Sequence, residues 1–506
     1  MKNRNIMLNI GYHIFCICTS LIVLPSCALL FGTLYLVREV INTFLKCSAK
    51  GRFKLAQPID AVCSTNLKYT VCGYIRPTTN QISLEELRKR ISENPEFCSG
   101  PYKKLKYRPC TKFGFACWED VSSKFDINEH IKYFPGTQDK ILTENEMKKL
   151  LTEYVNISKL TKNERPAWEF LVMPQVRMKS ELDGAVEIYF VFIFQLDHGY
   201  MDGNCCQRFL KQCVMDPDEE IRVPVDLIKT QGNEQRLLIP MILPNYRLFI
   251  YGPARILQTI FFNRKSVHFT DKQKTAGSST TAMFARSKLN MSSLAMNRIR
   301  VAYGCHTRSV IISTFLTALH KFAEDRGLRT PPYFKVGFAH AKLPYPNDEP
   351  QNRFCLIVKR LPLKDQLETQ LREIDKILKI TPKSKHELDF GFSFITLLGL
   401  LPVFIIRFVK RAVTVSTCGI SGVPSVSKFG TIQNGVAETI FGIPPLVDGV
   451  DYTCAYNNYG NISNILLLMR STPLLENEHD VRDFVVEFDN CLRELEQRAK
   501  GMQLLE

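Results

Sequence analysis

The sequence predicts a mixed α/β protein in two globular halves behind an N-terminal membrane segment, and three observations predict it. A chain of 506 residues with 45% hydrophobic and 23% charged content is too long for one ordinary core. Between Arg4 and Arg38 there is no Asp, Glu, Lys or Arg. Beyond residue 60, apolar runs of strand length mix with segments of helical period, and the mixture repeats from near residue 291.

Residues 6–37 are apolar for longer than one bilayer crossing requires, broken only by His13 and a few small polar residues. Pro25, near the middle, leaves two geometries open: one long tilted helix, or two short helices folded back at the proline. Ser26-Cys27-Ala28 has the small residues of a cleavage site, but the apolar stretch is longer than that of a signal peptide. Basic residues after the stretch (Arg38, Lys46, Lys50, Arg52, Lys54) outnumber those before it (Lys2, Arg4), which predicts a cytosolic body. The endoplasmic reticulum is the expected membrane, with the plasma membrane as the alternative.

Residues 1–50 are therefore taken as an anchor, 51–215 as a first half, 216–290 as a linker and 291–506 as a second half. Residues 67–74 read as a strand, and Ser83, followed by Glu85, Glu86, Leu87 and Ile91, starts an amphipathic helix. Residues 168–178 and 185–196 are apolar runs joined by Asp183-Gly184, a turn pair that connects antiparallel strands. After Gly203, Cys206, Phe209, Leu210 and Cys213 share one helical face. The linker holds an apolar stretch at 247–262 and a low-complexity stretch at 272–281. The second half reads as a helix at 309–324, strands at 333–339 and 353–359, a helix at 365–380, a buried strand at 461–469 and a closing helix at 481–500. A further apolar run, 391–406, contains Pro402 and ends in Arg407, Lys410 and Arg411. It is short for a span, which leaves a core helix or an interfacial segment.

The 66 basic and 50 acidic residues give a net charge of +16, suited to an anionic partner such as a phospholipid surface or a phosphate-bearing substrate. No zinc-finger spacing accompanies the charge, so no nucleic-acid partner is expected, and Lys103, Lys104, Lys106 and Arg108 read as an isolated solvated patch. The seventeen cysteines are scattered without metal-ligand spacing, which predicts reduced thiols and no metal site.

The residues that carry chemistry stand at 198–203. A nearly unbroken apolar run from Val186 ends in His198-x-x-x-Asp202-Gly203, so a buried strand delivers a histidine to its own end. A neutral imidazole is a general base for a hydroxyl nucleophile. Gly203 is expected to turn the backbone tightly into the following helix, whose N-terminal amides would face developing negative charge. Cys205 and Cys206 offer an acyl-cysteine route as a minor alternative.

The motifs around that strand resemble the wax ester synthase/diacylglycerol acyltransferase family. Pro166-Ala167-Trp168-Glu169 precedes the hairpin; Trp118-Glu119-Asp120 with Phe125-Asp126 and His130 is similar to the family's W…FD…H stretch. Asn352-Arg353-Phe354 through Leu361-Pro362 resembles its GN…LP stretch, and residues 419–424, GISGVP, resemble its NVPGP segment. The resemblance implies an α+β sandwich fold: two chloramphenicol acetyltransferase-like α/β sandwich subdomains with an active-site tunnel between them. It implies acyl-CoA as co-substrate without a further cofactor, a long-chain alcohol or diacylglycerol as acceptor, membrane lipid as partner, and His198 as base. By the same resemblance Asp202 is structural, pairing with an arginine. Two positions depart from the pattern: Asp197 stands where the family has a first histidine, and Arg308-Ser309 where it has an Asn-Asp pair. The alternative they raise is a catalytically silent relative that binds or transfers lipid.

Overall fold

In the computed structural model the described residues are 2–48, 51–64, 67–78, 82–157, 160, 164–180, 183–217, 282–287, 289, 291–342, 350–379, 382–413, 417–423, 430–445, 447, 450–460, 462–472 and 474–503. Most of the expected linker, with its 247–262 and 272–281 stretches, lies outside them.

The first half contributes strands β1 (Phe53–Leu55), β2 (Lys68–Arg76), β3 (Tyr107–Lys112), β4 (Phe115–Asp120), β5 (Ile131–Tyr133), β6 (Leu142–Thr143), β7 (Trp168–Lys179) and β8 (Val186–Asp197). The second contributes β9 (Ala282–Arg286), β10 (Met291–Ser292), β11 (Tyr333–Ala341), β12 (Phe354–Pro362), β13 (Cys418–Gly422), β14 (Thr431–Ile432), β15 (Gly435–Ile443), β16 (Tyr452–Tyr459) and β17 (Ile462–Arg470). One sheet runs β14-β15-β2-β8-β7-β5, with β6 also on β7; the other runs β10-β17-β16-β13-β11-β12, with β9 also on β17. A small third sheet has the order β1-β4-β3.

The apolar run of β8 is explained by its two covered faces. Phe190, Phe192, Phe194 and Leu196 belong to the core beneath the first sheet. Tyr189, Val191 and Ile193 point the other way, into a core shared with Ala455, Leu466 and Leu468 of the second sheet. A strand buried on both sides loses the apolar/polar alternation of a half-exposed one. The two large sheets therefore form a sandwich, and a third core fills the second half beneath β11, β13, β16 and β17.

Two segments bind the halves together. β15 is antiparallel to β2, pairing Ile443 with Thr70 and Phe441 with Cys72, although it lies far along the chain in the second half. The apolar run at 391–406 forms parts of two helices, Pro382–Leu398 and Val403–Val413, interrupted at Gly399-Leu400-Leu401-Pro402. Leu398, Val403 and Ile406 enter the first-half core. The interruption lies against the short helix Pro58–Cys63: a Cβ on Gly399 would fall 1.8 Å from the Pro58 carbonyl oxygen.

The N-terminal segment is one helix, Lys2–Ser48, continuous through Pro25, so the folded-back hairpin does not form. Its stretch His13–Ser48 is long and apolar enough to cross a membrane, with 11% of the window buried. Arg38 ties the helix to the body by donating to the carbonyls of Ala56 (2.7 Å) and Gly399 (3.3 Å).

Because backbone, not a movable side chain, fills the space beside Gly399, Gly399→Ala is expected to cost about 1–3 kcal/mol of stability. The check is a denaturation midpoint, and an unchanged midpoint would contradict the close approach.

Candidate active site

β8 ends at Asp197, and the next residue, His198, donates its backbone N–H to Leu67 O at 2.8 Å, the last link of the strand to its neighbour. The imidazole beyond it is 8% exposed. Its Nδ1 lies 2.8 Å from Asn352 Oδ1. The Asn352 Nδ2 donates to His198 O at 2.7 Å and to Asp60 Oδ1 at 2.9 Å, and these are both acceptors. The amide orientation is thereby fixed, and its oxygen is left to accept from Nδ1–H. The hydrogen-bond network assigns the ring proton to Nδ1 and the lone pair to Nε2. Burial lowers the His198 pKa from its ordinary value of 6.5, so the ring is neutral near pH 7.

Asn352 is itself held. Its backbone N–H donates to Asp60 Oδ1 at 2.8 Å, and the other Asp60 oxygen accepts from Lys104 Nζ at 2.7 Å. Lys104 also donates to the carbonyls of Tyr200 (2.9 Å) and Pro350 (2.7 Å). Burial pushes the Asp60 carboxyl up, while Lys104 and the Asn352 donors pull it back toward the carboxylate. Lys104 is thus no part of a solvated patch: it is 5% exposed and is the cation of a buried pair.

Asp202 caps the helix Gly203–Phe209, its Oδ1 accepting from Asn204 N and Cys205 N, both at 3.1 Å. Those amides are consequently engaged by Asp202 instead of facing substrate. The other oxygen accepts from the backbone N–H of Arg353 at 3.0 Å, joining the histidine loop to the residue after Asn352. At Gly203 the need is for space: a Cβ there would lie 3.1 Å from Tyr69 Oη and 3.2 Å from a Val423 methyl. Burial raises the Cys205 thiol to about 12 and pushes that of Cys206 further up, which disfavours the thiolate that an acyl-cysteine route needs.

His198 opens onto a cavity of about 220 Å³ between the halves. The first half supplies Tyr69, His198 and Gly203 to its wall; the second supplies Phe354, Ile420 and Val423 among others. The Tyr69 ring is 5.6 Å from the imidazole, centroid to centroid, and burial holds its phenol protonated. The wall is mainly apolar, which suits hydrocarbon beside the imidazole.

No protein-family model matches the sequence, and no curated protein matches it. Solved structures do. The wax ester synthase/diacylglycerol acyltransferase from Marinobacter aquaeolei VT8 aligns over 88% of this chain and 99% of its own, with a TM-score of 0.57 at 14% identity. The trichothecene 15-O-acetyltransferase from Fusarium sporotrichioides aligns over 88% and 96%, with a TM-score of 0.59 at 11% identity. The first condensation domain of the calcium-dependent antibiotic synthetase, in complex with a substrate analogue, aligns over 92% and 95%, with a TM-score of 0.53 at 12% identity. The fold is the two-domain coenzyme A-dependent acyltransferase fold.

Within that fold, His198, Asp202 and Gly203 come together at the cavity, and so do Gly419 to Val423 of the GISGVP segment, whose Pro424 lies outside the described residues. The two departures do not line it. Asp197 accepts from Gly199 N at 2.8 Å in a local turn, and the Ser309 hydroxyl donates to Asp375 Oδ1 at 2.7 Å in the second-half core. Trp168 packs in the first-half core, its indole N–H donating to Leu105 O at 2.7 Å. Asn352, Asp60 and Lys104 escaped the sequence reading of the site. Asn352 stood in a quoted motif without a role, and nothing local marks Asp60.

Removing one partner of a buried pair strands the other charge. Lys104→Met is therefore expected to cost about 3–5 kcal/mol, read in a denaturant titration, whereas a midpoint equal to wild type would contradict the pairing.

Proposed function

We propose that the protein is a membrane-bound O-acyltransferase that moves a fatty acyl group from acyl-CoA to a long-chain alcohol or diacylglycerol, forming wax ester or triacylglycerol. The observation that carries this reading is His198: a neutral imidazole with Nδ1 occupied by Asn352, placed on an apolar cavity between two halves of an acyltransferase fold. Two structural neighbours, the wax ester synthase/diacylglycerol acyltransferase and the trichothecene 15-O-acetyltransferase, are acyltransferases, which supports the reaction class.

An alcohol is a poor nucleophile at neutral pH and a thioester carbonyl is an activated electrophile, so proton removal during attack is the missing ingredient. Nε2 takes the hydroxyl proton as the oxygen bonds to the carbonyl carbon. The tetrahedral oxyanion then collapses, the C–S bond breaks, and the imidazolium returns its proton to the departing thiolate, giving ester and free CoA. Asn352, by accepting from Nδ1–H, stabilises the ring while it is charged. Tyr69 is the phenol donor beside His198 on the same wall and is our candidate partner for the oxyanion. The step balances without a further cofactor.

The N-terminal helix supports the membrane assignment, since both lipid substrates partition into the bilayer, and the excess of basic residues after it supports a cytosol-facing body, with the endoplasmic reticulum as the proposed site. The silent-relative reading draws no support from the site, because Asp197 and Ser309 lie off the cavity wall.

His198→Ala is expected to lower acyl-CoA thioester release on membranes supplied with long-chain alcohol by about 10²–10⁴-fold. Equal and negligible turnover in wild type and variant would favour the silent relative. The active form is the unprotonated ring and burial lowers its pKa, so kcat/KM should rise with pH through a midpoint below 6.5 and be level at neutral pH. A midpoint above 6.5 would contradict the assignment.

A further inference from the structure

Several large apolar side chains are exposed near the root of the N-terminal helix. Phe44, near the end of that helix, is 55% exposed and meets Phe113, 61% exposed, at 5.7 Å between ring centroids. Phe113 is at the tip of the β3–β4 turn with φ of 49°, a left-handed conformation uncommon for a bulky residue and one that thrusts the ring outward. The next residue, Gly114, accepts at its carbonyl from Val403 N at 2.8 Å, and a Cβ on it would lie 3.7 Å from Pro402 Cβ. From there the helix Val403–Val413 presents Phe404 and Phe408, one turn apart and 69% and 72% exposed, while Val403 and Ile406 pack inward. An amphipathic helix with aromatic residues outward and apolar residues inward has two apolar contacts to satisfy, and the protein satisfies one.

The surroundings say what covers the other. Arg38, buried against Ala56, Gly399 and the Phe115 ring, marks where the body grips the N-terminal helix, inside the apolar stretch His13–Ser48. The patch begins less than two turns farther on, at Phe44, so whatever surrounds the helix also reaches the patch. Nearby in the chain stand the basic residues Lys46, Lys112 and Arg407, while Arg52 and Arg108 are paired with Glu119 of β4. Exposed aromatics set among Lys and Arg match a headgroup boundary of anionic phospholipid.

We propose that Phe44, Phe113, Phe404 and Phe408 form a docking platform that inserts shallowly into the same bilayer the N-terminal helix enters. The inference rests on the membrane assignment made above and goes beyond it, by adding a second contact that fixes the body's orientation. The platform helix packs on Pro58–Cys63, where Lys410 donates to Val62 O at 3.3 Å, and that short helix carries Asp60 of the His198 network. Docking therefore sets the lipid surface against the scaffold of the active site.

The test uses the full chain in phosphatidylcholine–phosphatidylserine vesicles, with and without brominated acyl chains. Trp118 and Trp168 are both buried and give a constant background. Phe408→Trp and Phe113→Trp report on the platform, and Val486→Trp, at an exposed position on the C-terminal helix, is the control. Brominated lipid should quench the two platform tryptophans severalfold more than Trp at 486. If the intact protein fails to float with vesicles, the membrane assignment falls and the platform with it. If it floats but platform and control are quenched alike, only the platform is overturned. A blue-shifted platform emission insensitive to bromine would assign the face to a protein surface such as a second copy, and would also overturn it.

Discussion

The clasp that Asn352 makes on His198 is the constraint on which the rest depends. One side-chain amide donates to the histidine's own carbonyl and to Asp60, and with both hydrogens spent it can only accept from Nδ1. The result is a ring with a defined tautomer and orientation before any substrate arrives, which is what a general base needs if no free energy is to be spent on arranging it. Asp60 is held in turn by Lys104, whose remaining hydrogens fasten the backbone at Tyr200 in the first half and Pro350 in the second.

That clasp is also a seam. Asp60, Lys104 and His198 belong to the first half and Asn352 to the second, and Asp202 bonds to Arg353 alongside. β15 and the helices Pro382–Leu398 and Val403–Val413 cross in the same direction, so two cores separated in sequence are tied by backbone ladder, close packing and buried charge together. The mainly apolar cavity lies between halves joined in this way. A buried charged pair costs desolvation, and here its return is positional: it places the amide that orients the His198 ring.

Much of this was legible in the sequence because it is written in local periodicity. The doubly buried β8, the hairpin turning at Asp183-Gly184, the helix capped by Ser83 and the closing amphipathic helix each follow from patterns within a dozen or so residues. His198 was legible because a strand end and a motif coincide there. The clasp was not, since Asn352 and Asp60 are 292 positions apart and no pattern at either end names the other. Lys104 misled because a buried lysine amid Lys103, Lys106 and Arg108 has the same sequence signature as an exposed one. Gly203 and the helix amides were read by backbone habit; the structure gives the glycine to the cavity wall and the amides to Asp202. The crossing of β15 depends on topology, which periodicity does not carry.

The central claim is the protonation geometry of one ring, and nitrogen-15 NMR of histidine-labelled protein, with His198→Ala to assign the signal, reads it directly. The account predicts that at neutral pH His198 shows a protonated Nδ1 and an unprotonated Nε2, and that Asn352→Ala abolishes this preference. A proton on Nε2, or an imidazolium at neutral pH, would contradict it.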